Sequence, residues 1–407
     1  MNQPIHTFIE GAHKFSATRC AELGAHAIAA LDAYAAGTGQ LGALLGVSKD
    51  SLHLASLDEF VRRQLSSHPV LDFRIDFEDG YGYRPDGEED QHAVNAGRCA
   101  AQAAVAGTLP ACIGIRTKPF EPNARARSLR TVELFVSALV EEFGGGLPAH
   151  VVINLAKVTD YGQVAELAGS LGRLEERLGL SPLSLRMEVM IESPRALVAQ
   201  DGRSPLLAFR DAAESRLRSA CFGPYDYTTS LGIAPSEQRL RHPACDWARQ
   251  SMLASYAATE VWLADGSTSM LPAVPEGTTA SDGSRHVHNA WRMHYDDVRH
   301  SLASGYYQGW DVHPAQLPTR FAAVYIFFRE GFDAAASRIR TLLANVSQST
   351  ILGAVFDDPA TGQALLAYIR RAINAGVISE TEAIQKTALA LDELPMTFAD
   401  IVKRRSA

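Results

Sequence analysis

Apolar and polar positions along the chain fall into two alternating rhythms. Short apolar, β-branched runs recur at "SLHLAS" (51–56), "VLDFRIDF" (70–77), "ACIGIRT" (111–117) and "HVVINLA" (150–156). They continue at "SLRMEVMI" (184–191), "SACFG" (219–223), "TEVWLA" (259–264) and "GWDV" (309–312). Between most of them, apolar residues repeat at helical spacing. "SLRTVELFVSALVEEFGG" ends on a glycine pair where a helix stops, and "DYGQVAELAGSLGRLEERLGL" opens on Asp160 as a candidate N-cap. Alternating strands and helices predict parallel strands joined by helical crossovers, and eight of them suit a closed barrel.

The predicted architecture is α/β: a (β/α)8 TIM barrel over residues 51–320, preceded by helices in 1–50 and followed by a helical extension over 321–407. "AHAIAALDAYAAGTGQLGALLG" reads as a soluble helix and a turn, because Asp32 and several glycines interrupt it. The polar, glycine-containing stretch across 272–290 reads as a long loop on the face where barrels of this kind place their chemistry.

Composition narrows the function. The 407 residues are 46% hydrophobic and 21% charged, with a formal net charge of −8. That acidic balance gives no footprint for nucleic acid. No uninterrupted apolar run approaches the ~18 residues of a membrane span, and the start lacks the layout of a signal peptide. Cys20, Cys99, Cys112, Cys221 and Cys245 are scattered and odd in number, which suits structural thiols in a reducing, cytoplasmic compartment.

In a barrel, residues just past the strand C-termini converge on one mouth. Reading those positions gives Glu78 and Asp79 after the second strand, Arg116 and Lys118 at the third, and Lys157 after the fourth. Glu192, Asp226 and His313 follow the fifth, sixth and eighth. Glu192 and Asp226 come from neighbouring strands and form a candidate hard-cation pair. They could equally cap the following helices or pair with Lys157 and Arg116. Arg116 can bind a carboxylate bidentately or stabilise an enolate oxygen, and can also pair with Glu78 or Asp79. His313 can orient its neighbours. Glu88, Glu89 and Asp90 read as a solvated acidic loop. Arg125, Arg127 and Arg130 could meet phosphates or form an exposed helix face. His286 and His288 could ligate a metal only with a third partner, and a solvated loop is the alternative.

"IDFEDGYG", "GIRTK", "NLAKVTD", "MIESPRAL", "FGPYDYTTSLG" and "GWDVHPAQ" occur in that order. They resemble the citrate lyase β-subunit-like family of the HpcH/HpaI aldolase and malate synthase superfamily. The resemblance covers roughly residues 70–320. It implies a (β/α)8 barrel that makes or breaks carbon–carbon bonds through an enolate, on a 2-keto acid or acyl-CoA type substrate. It also implies Mg²⁺, or Mn²⁺, held by Glu192 and Asp226. Arg116 would bind substrate carboxylate or steady the enolate, Glu78 and Asp79 would support Arg116 and the metal's waters, and Lys157 and His313 would assist at the substrate. "VFDDPATGQALLAYIRRAI" resembles the family's hydrophobic–Asp–X–Pro segment and matches Asp357 to a proton-transferring Asp, often reaching a neighbouring subunit's site. Either Asp357 or Asp358 could instead cap the helix near Pro359. The resemblance further implies a homo-oligomer acting on a small molecule, with a CoA thioester as a possible substrate. Lys118 stands where the family often carries Asn. A CoA-independent aldolase and a non-catalytic metabolite-binding barrel are the alternatives.

Overall fold

Along Asp72–Asp76 the sequence alternates acid, Phe, Arg, Ile, acid, yet all five residues are buried. A strand buried on both faces needs two different partners. In the computed structural model it has them: Phe73 and Ile75 lie in the main apolar core, while Arg74 reaches across to Glu188 on another strand. The structure describes residues 2–48, 54–148, 150–344, 350–352, 355–357 and 359–406.

Eight parallel strands close into a barrel. They are β1 (His6–Gly11), β2 (Asp72–Asp76), β3 (Cys112–Thr117), β4 (Val151–Leu155), β5 (Leu185–Ile191), β6 (Leu217–Phe222), β7 (Trp262–Asp265) and β8 (Gln308–Asp311). Closure is made by β1, which pairs Phe8 with Phe73 on one side and His6 with Gly309 on the other. Seven of these strands overlap the apolar runs read from the sequence. The first does not. Residues 54–56 of the expected strand open the helix Leu54–Ser67, and 51–53 lie outside the described residues. Leu57, Phe60, Val61 and Leu65 are all buried from that helix, a three-to-four-residue spacing that a strand cannot present on one side. The segment 1–50 therefore contributes a barrel strand as well as the helices Arg19–Tyr34 and Gln40–Leu44.

Two further expectations change. Much of the stretch 272–290 is helical, because Ala280–Ala303 is one helix. The Thr279 side chain accepts the Asp282 N–H at its start, and Val287, Ala290, Trp291, His294 and Val298 are buried along it. His286 and His288 lie on this helix, bonded to the carbonyls of Leu271 (3.0 Å) and Tyr34 (2.9 Å). The acidic stretch is also helical, within Asp86–Val105. Glu89 is not solvated: it is 1% exposed and pairs with Lys118 and Thr131. Asp160 does cap the helix Tyr161–Leu178, with Gln163 completing a capping box.

The barrel interior is polar in its lower half. Arg74 bonds Asp72 and Glu188, Glu188 accepts from Asn154 (2.8 Å) and Ser219 (2.5 Å), and Gln308 bridges Thr7 and Asp72. Buried charges at this density persist because they are paired. After β8, helix Leu317–Ala344 packs against Leu54–Ser67, with Tyr325 and Phe60 rings 4.8 Å apart. The C-terminal region adds a small hairpin, β9 (Thr350–Leu352) with β10 (Val355–Asp357), and the helices Pro359–Asn374, Glu380–Thr387 and Phe398–Ser406. Among the described residues no helix is long and apolar enough to cross a membrane.

Candidate active site

At the C-terminal ends of the strands, Asp76 and Arg116 meet as the last and penultimate residues of β2 and β3. Arg116 Nε donates to Asp76 Oδ1 at 2.7 Å and Nη2 to Oδ2 at 2.6 Å. This bidentate fork fixes the guanidinium plane. The third nitrogen, Nη1, lies 3.3 Å from Glu78 Oε2 and 3.7 Å from Asp79 Oδ2. The sequence reading paired Arg116 with Glu78 or Asp79; both are present, but Asp76 is the principal anchor. Its two oxygens also accept the N–H groups of Glu78 and Gly80. Gly80 has to be glycine here, because a Cβ would lie 2.6 Å from Asp76 Oδ2.

Lys157 follows β4 in a left-handed backbone conformation, φ 50°. Its Nζ reaches Glu78 Oε1 at 2.6 Å, Asp79 Oδ1 at 3.2 Å and Asp226 Oδ2 at 3.4 Å. Its backbone N–H donates to Glu192 Oε1 at 2.6 Å. Burial, reinforced by the adjoining Asp79, raises the Glu78 carboxyl to about 7, against the pull of Arg116 and Lys157. Asp79 is held below its usual range, because hydrogen bonding to Glu78 and the charges of Arg116 and Lys157 outweigh its burial. The arrangement is a basic–acidic lattice in which one carboxyl sits near neutrality.

Glu192 is 4% exposed and pushed up to about 8, first by burial and then by Asp226, with Arg116 acting the other way. Asp226 lies in the first turn of the helix Pro224–Ser230. Glu192 and Asp226 line one cavity of about 220 Å³ together with Asp79, Arg116, Met190 and Trp310. The Arg116 guanidinium stands 5.8 Å from the Trp310 ring centre. Gly223 closes over Glu192, where a Cβ would meet Glu192 Oε2 at 2.8 Å.

The donor set suits a hard divalent cation. One oxygen of Glu192 is bonded to Lys157, both acids face the same cavity, and the charge of Asp226 adds to the burial that makes Glu192 harder to ionise. Mg²⁺ commonly takes one or two carboxylates and keeps several waters. That matters, because among the described residues no group of three or more His, Cys, Asp or Glu side chains gathers as a metal site.

His313 stands apart from this cluster. Its Nδ1 accepts the Ala315 N–H at 3.2 Å and caps the turn Pro314–Gln316, while its neighbour Val312 lines the cavity. Arg127 and Arg130 pair with Asp90, and Arg125 with Glu166. Asp357 ends β10, and its side chain and all of Asp358 lie outside the described residues. Met190, Trp310 and Ser267 were not singled out from the sequence; as an apolar or small residue on or just past a strand, each carries no chemical signal of its own.

A family described as a domain of unknown function, DUF6986, matches residues 1–400. The chain belongs to this family. Among curated proteins, an L-malyl-CoA/beta-methylmalyl-CoA lyase of Haloarcula marismortui is 26% identical over 197 residues, 48% of this chain and 50% of that protein. The chain thus spans about half the length of the curated relative it matches. Among solved structures, a citrate lyase of Burkholderia xenovorans aligns over 96% of this chain and 97% of its own, with 17% identity and a TM-score of 0.60. A Haloferax volcanii malate synthase in a magnesium and glyoxylate complex aligns over 98% and 97%, with 16% identity and a TM-score of 0.49. The barrel fold expected from the motifs is thus shared with the citrate lyase, and the sequence likeness those motifs carry extends to the malyl-CoA lyase.

Proposed function

We propose that this family member is a carbon–carbon bond lyase or synthase working through an enolate on a 2-keto acid or acyl-CoA type substrate. One observation carries the reading. A guanidinium pinned by Asp76 shares a single cavity with Glu192 and Asp226, so a carboxylate binder and a cation pair flank the same small space.

Glu192 and Asp226 would hold Mg²⁺ or Mn²⁺, which when bound supplies a Lewis acid for a substrate carbonyl. Arg116 binds the substrate carboxylate and offsets charge that develops on the enolate oxygen. Trp310 and Met190 keep one wall of the cavity apolar. In the cleavage direction, the bond between the hydroxyl-bearing carbon and the carbon next to the carbonyl breaks. Its electron pair becomes the enolate, the hydroxyl gives its proton to the Glu78–Asp79 pair and becomes a carbonyl, and the enolate carbon takes a proton from Asp357. The synthase direction reverses each transfer. The role of Asp357 rests on its motif, as does its delivery from a neighbouring subunit of a homo-oligomer. Lys157 and His313 act by orienting the acids and the adjoining turn.

The name of the malyl-CoA lyase supports a CoA thioester substrate. One observation favours a CoA-independent aldolase instead: Arg125, Arg127 and Arg130, the basic run available for a nucleotide, each pair with an acid.

The test is a panel of 2-keto acids and their hydroxylated adducts, each assayed with and without acyl-CoA thioesters in Mg²⁺. Turnover in at least one arm is expected, abolished in Glu192→Gln. Turnover only without the thioester selects the aldolase. No turnover in either direction, with ligands still bound, makes the protein a metabolite-binding barrel.

A further inference from the structure

The opposite end of the barrel holds a second cavity that the enolate chemistry does not use. It measures about 140 Å³. Its wall is built from residues at the N-terminal ends of the strands: Cys112 opens β3, Trp262 opens β7, Arg186 and Arg218 are the second residues of β5 and β6, and His150 stands just before β4, with Arg74 above. A water needs roughly 10–15 Å³ of such space, so this volume admits a small polyatomic ligand.

The charge of that wall is one-sided: no carboxylate lines it. Arg74 is already matched by Asp72 and Glu188. Arg186 and Arg218 are not: among the described residues neither makes an ion pair, and the one hydrogen bond of Arg186 is to the Ser215 carbonyl at 2.8 Å. The contrast within the same barrel is sharp, since Arg116, Arg216, Arg249 and Arg320 each hold a carboxylate. Arg218 lies 3.7 Å above the Trp262 ring. Stacking fixes the plane of the guanidinium and leaves its edge N–H groups free to donate. Burial above all disfavours the charged form of Arg218, and the like charge of Arg186 adds to it, while Cys112 and Glu260 act the other way. Burial and Arg218 act on His150 in the same direction. Two half-buried guanidiniums sharing one cavity with no acid in its wall are the converse of the carboxylate pair at the mouth.

We propose that this floor cavity binds a small oxyanion of the phosphate class, held by the guanidiniums of Arg186 and Arg218. Planar donor forks match the oxygens of such an anion, and its charge relieves their mutual repulsion.

The experiment uses the full chain without divalent cations. Inorganic phosphate is titrated by calorimetry and, in parallel, by tryptophan fluorescence, with malonate as the carboxylate arm. Wild type is expected to bind phosphate saturably at one floor site and to change its Trp262 emission. The doubly substituted Arg186→Gln, Arg218→Gln protein should bind at least about tenfold more weakly, as loss of two charge-assisted contacts requires. Trp262→Phe should keep the heat and lose the optical change. Malonate binding with equal strength and the same optical change overturns the phosphate assignment. Absence of saturable phosphate binding, or equal binding by the double variant, overturns the site. If the glutamine pair does not fold, Arg186→Lys, Arg218→Lys takes its place, and unchanged affinity there overturns the planar-fork argument.

Discussion

Lys157 donates its backbone N–H to Glu192 Oε1 at 2.6 Å from a left-handed conformation, φ 50°. Non-glycine residues adopt that conformation at a cost, and structures retain it where the surroundings demand it. Here the demand is visible: the same residue sends its ammonium to Glu78. Backbone and side chain therefore tie two different acids of the mouth together. Lys157→Met keeps the N–H and removes the ammonium. Its divalent-cation affinity is expected to stay close to wild type, while turnover falls by about tenfold or more through loss of the charge that orients Glu78 and Asp79. Calorimetry with Mn²⁺ beside steady-state kinetics separates the two. A collapse of cation binding would show that the ammonium, not the N–H, maintains Glu192.

Gly223→Ala tests the other side of the same carboxylate. The backbone at Gly223 is ordinary, φ −104°, so alanine meets no dihedral penalty. The added Cβ would nevertheless lie 2.5 Å from Glu192 Cβ. Glu192 and the backbone that carries its Cβ must move, so cation affinity should drop by about tenfold or more, and the melting temperature should fall as for an overpacked site costing about 1–3 kcal/mol. Mn²⁺ affinity equal to wild type would show that Glu192 is not a ligand.

The anchor of Arg116 carries stability as well as function. The pair is buried, with side-chain exposures of 9% for Arg116 and 2% for Asp76. Asp76→Asn removes the charge and preserves the shape. The guanidinium then relies on Glu78 and Asp79 alone, and unfolding in urea should show a loss of about 3 kcal/mol, the scale for breaking a buried ion pair. A loss near zero would mean that the two remaining acids fully compensate.

What the sequence made legible follows physical lines. Strands buried on both faces leave dense apolar, β-branched runs, so β2 to β8 were visible, and the ionisable residues just past them marked the mouth. β1 was not visible, because "HTFIEG" offers only Phe8 and Ile9 as apolar residues and its partners, β2 and β8, are distant in the chain. The helix Ala280–Ala303 was hidden by polar residues on its outer face, although Val287, Trp291, His294 and Val298 keep helical spacing. Asp76, inside the β2 run, carries no sequence signal that sets it apart from Glu78 and Asp79. Only the register of β2 on β3, which sets Asp76 beside Arg116, reveals it as the anchor. The floor cavity is made by residues at the N-terminal ends of strands that share nothing in sequence.

His6 supplies a test away from both cavities. It is fully buried, its ring stands edge-on to Phe321 at 5.5 Å, and neither ring nitrogen has a hydrogen-bond partner. Burial, aided by Arg320 and opposed by Asp311, lowers its pKa from 6.5 to about 4. The unfolded chain therefore takes up a proton near pH 6.5 that the folded protein refuses until about pH 4. Stability is full above the unfolded value and falls as the pH drops through that window, by about 3 kcal/mol in all. Below it Asp311 takes over: Arg320 and His294 outweigh its burial and hold its carboxyl far below the usual range, so stability continues to fall with acid. His6→Phe keeps the apolar packing and removes the titration. Its unfolding free energy should be flat between pH 6.5 and 4 relative to wild type, apart from other groups common to both. Parallel curves for the two proteins across that window would show that His6 is protonated in the folded state.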